Sequence, residues 1–292
     1  MLTAVLLKIV LALAIAFAYM LFDVFNERNV PDVFAYGTLI VAAAVAILGT
    51  NINAIETSYI AAVAICGLGY IAYRIGEIGA ADIIELAALV LLIPLQPIPA
   101  LIGTNQLGLP FVISLIVDTG IAAVIMVPLY YIPKAFHMMG GKVFQKISKT
   151  DWSKALVVVV AYAIFFTFVA TVFVVGTYGI AIFIALMVFS SLMLLFQNPI
   201  TMSMIKMTTC SEFTEGDIIA FNMMTKAQIN AAKRKLSSFG RLVTPAMIEE
   251  MKKKKVATKF PLYKNAVPLA VAIFAGLVMA ILFGNMVLLM FG

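Results

Sequence analysis

From Ala155 to Phe196 the chain runs for more than forty residues without a charged side chain. One membrane crossing takes roughly 20 apolar residues. The run is therefore too long for one span and about right for two, joined at Gly176-Thr177-Tyr178-Gly179. The rest of the chain has the same character, with 64% hydrophobic residues, 12% charged residues and a mean hydropathy of +1.10. Soluble domains hold about 45–50% apolar and about 25% charged residues. So few charges cannot coat a globule. Soluble, secreted and nucleic-acid-binding classes are excluded, and a polytopic membrane protein is left.

Apolar runs broken by charge, Pro or Gly predict eight spans, at about 2–22, 33–50, 58–74, 83–102, 110–132, 154–175, 177–197 and 266–290. Pro94, Pro97 and Pro99 predict a kink or an unwound end in the fourth. Lys and Arg alternate with the count. Arg28, Arg74, five Lys between 134 and 154 and twelve basic residues between 206 and 264 follow spans one, three, five and seven; only Lys8 lies elsewhere. The positive-inside rule then puts these loops in the cytoplasm and both termini outside. Residues 2–22 lack a basic leading segment and read as a retained first helix. The expected architecture is an all-α membrane bundle of about eight transmembrane helices with a small cytoplasmic subdomain. Residues 1–197 form a seven-helix membrane core, 198–264 the basic cytoplasmic subdomain and 265–292 the final span.

In such a chain every carboxylate near a span is a candidate site. Asp23 closes the first span in Phe22-Asp23-Val24-Phe25-Asn26-Glu27-Arg28-Asn29-Val30-Pro31-Asp32, and Asp82 opens the fourth after Gly79-Ala80-Ala81. Both fall at the cytoplasmic ends of their helices. Although 59 residues apart in sequence, they meet if the two helices pack together. Two carboxylates held together share one proton, since like charges a few ångströms apart do not both ionise cheaply. One then serves as base on a water while the other polarises a carbonyl and protonates the leaving group. The small residues before Asp82 allow close approach of backbone or substrate. The bland reading is that each Asp marks a membrane boundary, with Asp82 favoured at a helix N-terminus.

Asp23 with Arg28 and Val30-Pro31 resembles the first aspartate motif of the prepilin peptidases, and Gly79-Ala80-Ala81-Asp82 their second, Gly-x-Gly-Asp. Glu215-Gly216-Asp217-Ile218-Ile219-Ala220, Thr244-Pro245-Ala246-Met247-Ile248 and the Lys run before the final span are similar to the C-terminal part of archaeal prepilin and preflagellin peptidases. The chain departs from the pattern at Asp32, Ala81 and Ile84, where Asn, Gly and Lys are usual. The resemblance implies a membrane aspartyl endopeptidase that removes the leader from type IV pilin-like or archaeal flagellin precursors at the cytoplasmic face. It implies an Asp23/Asp82 dyad with Arg28, Gly79 and Glu85 as substrate-binding or supporting residues. Bacterial relatives with N-methyltransferase activity often carry two Cys-x-x-Cys pairs. Here only Cys66 and Cys210 occur, so cleavage alone is expected, without cofactor, metal or nucleic acid and with membrane lipids as surroundings.

Glu85, three residues past Asp82, has three readings: a pocket residue in place of the usual Lys, a group coupled to Asp82's proton, or a charge hydrating the bundle mouth. Asp118, deep in the fifth span, is helix glue or the coupling carboxylate of a transporter. The rival functions are a small transporter using Asp118, Glu85 and Asp82, and an inactive relative that binds signal segments. Pro99-Ala100-Leu101 reads as a chance match to a presenilin-like motif. His137 has no nucleophile partner. Residues 133–154, with Lys142, Lys146 and Lys149 at helical spacing, read as an interfacial helix on anionic headgroups. Within 198–264 the expected elements are a short strand at 218–221, a helix at 225–236 and a second helix from N-cap Thr244 with Pro245 at its first position.

Overall fold

Each expected span contains a helix, and sequence signals set where most of them begin and stop. The computed structural model describes residues 2–26, 30–48, 52–76, 78–93, 110–254, 259–263 and 269–288. The membrane part consists of α1 (Leu2–Phe25), α2 (Asp32–Ile47), α3 (Ile52–Ile75), α4 (Ala80–Leu92), α5 (Phe111–Met139), α6 (Lys149–Val172), α7 (Thr177–Leu195), the short α8 (Gln197–Met204) and α11 (Leu269–Phe283). Among the described residues five helices are long and apolar enough to cross a membrane, α1, α3, α5, α6 and α7. Helices α2 and α11, at 16 and 15 residues, are shorter apolar helices, and α4 has 13. Eight full crossings, as expected from the apolar runs, therefore do not follow from the helix lengths. The proline-rich end of the fourth span lies outside the described residues.

The long apolar run folds as the α6–α7 pair, with Gly176 as the N-cap of α7. Tyr162 meets Ser190 at 3.3 Å, and Phe183 packs against Tyr162 and Phe166. Phe165, Phe168 and Val172 remain exposed, as lipid-facing positions require. The start of α6 is fixed by a reciprocal cap. Ser148 Oγ accepts the Asp151 N–H at 3.1 Å and Asp151 accepts the Ser148 N–H at 2.9 Å. Asn198 of α8 donates to the same Asp151 carboxylate at 2.9 Å, tying the exit of α7 to the entrance of α6.

Residues 133–154 do not form the expected single interfacial helix. Helix α5 continues through Pro128 and Pro133 to Met139, a 3-10 segment covers Gly140–Lys146, and α6 starts at Lys149. Proline is tolerated in such a helix where neighbouring helices surround the freed backbone groups. Pro128 is itself buried, with Val127 and Tyr131 packed beside Phe196 and Ile200.

The core of the bundle lies between α1, α2, α4, α5 and α11. Tyr19, Leu89, Leu92, Ile93, Phe111 and Leu115 are fully enclosed there. Small residues set the closest approaches. A Cβ on Gly69 of α3 would fall 2.5 Å from Ile83 of α4, and one on Gly276 of α11 would collide with Thr119 of α5.

Between α8 and α11 the chain builds a second, smaller core. Strands β1 (Lys206–Thr209) and β2 (Lys259–Leu262) pair antiparallel, Lys206 opposite Leu262. The segment expected as a strand at 218–221 makes only isolated bridges, Ile218 to Leu242 and Ile219 to Leu262, and turns at Phe221–Met223. Helix α9 (Lys226–Lys235) starts at N-cap Thr225, and α10 (Pro245–Lys253) starts at Thr244 with Pro245 at its first turn. Ile219, Leu236, Met247, Met251 and Leu262 fill the core, so the methionine stripe of α10 is packing.

Glu250 staples α9's exit to α10. It accepts the N–H groups of Ser237 and Ser238 at 2.9 and 3.0 Å and pairs with Lys254 at 2.7 Å. Lys254, then the Ser238 and Ser237 donors, hold its carboxyl well below the usual carboxylate range. A carboxyl that stays ionised to lower pH when folded adds stability above its unfolded value of 4.5, and loses it as the pH falls further. The melting temperature of the full chain in detergent should therefore fall less steeply for Glu250→Gln than for wild type between about pH 5 and pH 3. Parallel curves would show that this carboxylate does not couple to folding.

Candidate active site

The last turn of α1 and the first turn of α4 come together on one side of the core. Tyr19 and Asp23 share a face of α1, four residues apart, and Asp82 and Glu85 share a face of α4. Asp82 occupies the third position of its helix, and its carboxylate reaches back to accept the Gly79 N–H at 3.2 Å. A Cβ on Gly79 would fall 2.9 Å from that carboxylate. Only glycine leaves the oxygen where it is.

Asp23 is nearly enclosed, and its Oδ2 accepts the backbone N–H of Ala270 at 3.2 Å, from the first turn of α11. A helix N-terminus presents unpaired N–H groups and partial positive charge, which suits a carboxylate. Asp23 and Asp82 lie within each other's electrostatic reach, and Glu85 within reach of both. The structure therefore brings the two sequence-distant aspartates together with Glu85. Arg28 falls outside the described residues.

Burial rises along α4. Gly79 and Ala80 are exposed, Asp82 is half-buried and Glu85 is fully buried. The opening is thus at the α4 N-terminus, and Glu85 lies about 4.5 Å deeper along the helix axis. Glu85 does not hydrate the bundle mouth, because no water-accessible surface remains on it. Among the described residues neither of its oxygens has a hydrogen-bond partner.

Two further side chains complete the wall. Thr38 of α2 donates to the Ala35 carbonyl at 2.8 Å, so the Tyr19 hydroxyl, 3.0 Å away, is the donor to Thr38 Oγ1. Tyr19 also lies within the field of Glu85 and Asp82. The spacing of Tyr19 and Asp23 was a legible signal for the first of these. Nothing in the sequence marks Ala270, whose backbone reaches Asp23 from 247 residues away.

The start of the turn before α4 touches the subdomain between α8 and α11. Gly76, at φ +78°, sits where an added Cβ would be 3.6 Å from Ile218 and 3.7 Å from Arg241. The basic subdomain therefore packs at the open end of the site. Asp118 stands apart, buried on α5, with its Oδ1 accepting the Met286 N–H at 3.0 Å beyond the end of α11. No charged group of the Asp23 cluster acts on it, so the structure does not join Asp118, Glu85 and Asp82 into one path. His137 is exposed at the end of α5. Among the described residues no three His, Cys, Asp or Glu side chains converge as metal ligands.

Comparison with known proteins gives one match. Residues 9–141, which run from α1 to the 3-10 segment after α5, match the profile of the type IV leader peptidase family. No curated protein and no solved structure matches the chain. The matched segment contains both aspartates, Gly79 and Glu85, and its long apolar helices are those of an integral membrane protein. The membrane core from α1 to the end of α5 is thus similar to the type IV leader peptidase family.

Proposed function

We propose that the protein is a membrane aspartyl endopeptidase that removes leader peptides from type IV pilin-like or archaeal flagellin precursors, with Asp23 and Asp82 as its dyad. The observation that carries this reading is the approach of the two carboxylates from the end of α1 and the start of α4, within electrostatic reach at a half-open mouth. The pair shares a proton. Its ionised member draws a proton from water as the water oxygen attacks the scissile carbonyl carbon. Its protonated member donates first to the carbonyl oxygen and, as the carbon–nitrogen bond breaks, a proton passes to the leaving amine. The Ala270 N–H on Asp23 and the Gly79 N–H on Asp82 hold each carboxylate in place.

The site opens to the cytoplasm in this reading. Lysine-rich segments stay on that side, and the subdomain carrying most of them packs against the turn leading into α4. Cleavage without N-methylation is the activity proposed. Membranes containing the protein, mixed with a panel of pilin-like and flagellin precursors, should release mature chains whose new N-termini are read by sequencing. Absence of processing across the panel would turn the reading towards an inactive relative that binds signal segments.

Gly79 is proposed as a supporting residue through the room it leaves. Gly79→Ala should displace the Asp82 carboxylate and lower kcat on the order of tenfold, as misplacement near 1 Å does elsewhere at twice that exponent. Its melting temperature should hardly change, because the residue is exposed at a helix cap. Unchanged kcat would remove Gly79 from the site.

A further inference from the structure

Between helix α9 and the two-stranded sheet of the subdomain runs an open groove of about 360 Å³. Helix spacing makes its first wall. Gln228, Ala231, Ala232 and Lys235 recur at three- and four-residue steps and so share one face of α9. The two alanines leave that face hollow. Met207 of β1, Met223 and Met224 of the turn before α9, and Phe260 of β2 make the other side. Met207 and Met223 are 57% and 39% exposed, while Leu236 and Leu262 of the same subdomain are enclosed. Methionine is unbranched and flexible, and it adapts to apolar guests of varied shape.

The groove has a polarity along its length. At one end lies Ile205, the residue that closes α8. Helix α8 packs beside Val127 and Tyr131 of α5, and Asn198 ties it to the start of α6, so this end adjoins the membrane helices. In the sheet, Lys206 faces Leu262 at this end and Thr209 faces Lys259 at the other, about 10 Å further on. Lys259 and Lys235 both line the groove. Among the described residues no Asp or Glu lines it, and α9 carries Lys226, Lys233, Arg234 and Lys235 without an acid.

We propose that this groove binds one anionic phospholipid, with an acyl chain against the methionines and Ala231 and the phosphate at Lys259 and Lys235. An apolar trough that starts at the membrane helices and ends in cations away from them has the polarity of a lipid in the adjoining leaflet. Lysine-rich segments keep to the cytoplasmic side, and that leaflet carries the anionic lipids. A soluble anion would leave the apolar walls unused. A peptide would bring backbone N–H and C=O groups that need partners, and besides the two lysines the lining side chains offer only Gln228. An acyl chain brings none. The bound lipid fastens to the bilayer the subdomain that touches Gly76 ahead of α4.

The test places the full chain in phosphatidylcholine nanodiscs with added phosphatidylglycerol that carries a photoreactive group on one acyl chain. Labelled peptides are mapped by mass spectrometry. Saturable labelling at Met207 or Met223 is expected, whereas phosphatidylcholine with the same photoreactive chain should label the membrane helices only. Ala231→Phe fills the groove from an exposed helix position and should abolish the groove labelling but not that of the membrane helices. Lys235→Gln and Lys259→Gln should each raise the phosphatidylglycerol content for half-saturation about fivefold, the scale of one lysine at an anionic surface. If Ala231→Phe does not fold, the two lysine variants decide. Equal groove labelling by both lipids, or unaltered labelling in all three variants, would overturn the proposal. Groove labelling by an acidic amphipathic peptide bearing the same group, with none by either lipid, would assign the groove to a protein partner instead. None of these readings depends on peptide cleavage.

Discussion

Asp23→Asn and Asp82→Asn should each lower leader cleavage by about 10³-fold or more, with precursor binding retained. General acid–base catalysis by one positioned group contributes typically 10²–10⁴-fold, and an amide can neither take nor give the shared proton. The two substitutions should not multiply. Once either carboxyl is lost the pair no longer functions as a unit, so the double variant should fall little below the single ones. Glu56→Gln, at an exposed position on α3, should leave cleavage unchanged. The measurement is single-turnover cleavage of one precursor in membranes, with variant levels matched by immunoblot. Equal rates for wild type and both Asp variants would exclude this dyad even if the protein cleaves.

The largest stability effect is expected at Gly276. An added Cβ there meets the backbone nitrogen and Cα of Thr119, and backbone, unlike a side-chain tip, cannot rotate aside. Helices α5 and α11 must part, losing contacts that van der Waals packing of small residues provides within a membrane. Gly276→Ala should cost about 1–3 kcal/mol and Gly276→Leu more, by the usual scale of overpacking. Because α11 also presents the Ala270 N–H to Asp23, cleavage should fall along with stability. Gly120→Ala on α5 is the control. No atom lies within 4 Å of its added Cβ, and the gain in helix propensity should leave stability unchanged or raised by about 1 kcal/mol. Unfolding in mixed micelles gives both numbers. Equal stability of Gly276→Leu and wild type would mean that α5 and α11 do not pack at this distance.

What was legible in the sequence follows from local chemistry. Apolar run length and the alternation of basic loops identify membrane helices, because burial in lipid requires the same composition in any fold. The α6–α7 turn at Gly176 and the cap at Thr244 are written in residues within four positions of one another. The α10 start was legible for that reason, whereas β1 and β2 were not. Their pairing joins Lys206 to Leu262, and a four-residue strand has too few residues to show its period. Apolarity likewise did not determine how many helices span fully. Among the described residues helices α2, α4 and α11 have 16, 13 and 15 residues, and apolar run length measures burial of any kind.

The sequence by itself determined a mainly helical membrane protein and made Asp23, Asp82, Glu85 and Asp118 candidates, since an ionisable residue near an apolar helix is costly; the resemblance to the prepilin peptidases is what picked out the first two. Tertiary structure alone decided what surrounds them. It set Glu85 deep beside the pair instead of at the mouth, brought the Ala270 N–H to Asp23 and gave Asp118 to the far end of α11. The reason is that helix periodicity fixes which residues share a face but not which helix that face meets. That choice is made by the packing of small residues such as Gly69 and Gly276 against particular neighbours, a property of pairs of segments far apart in the chain.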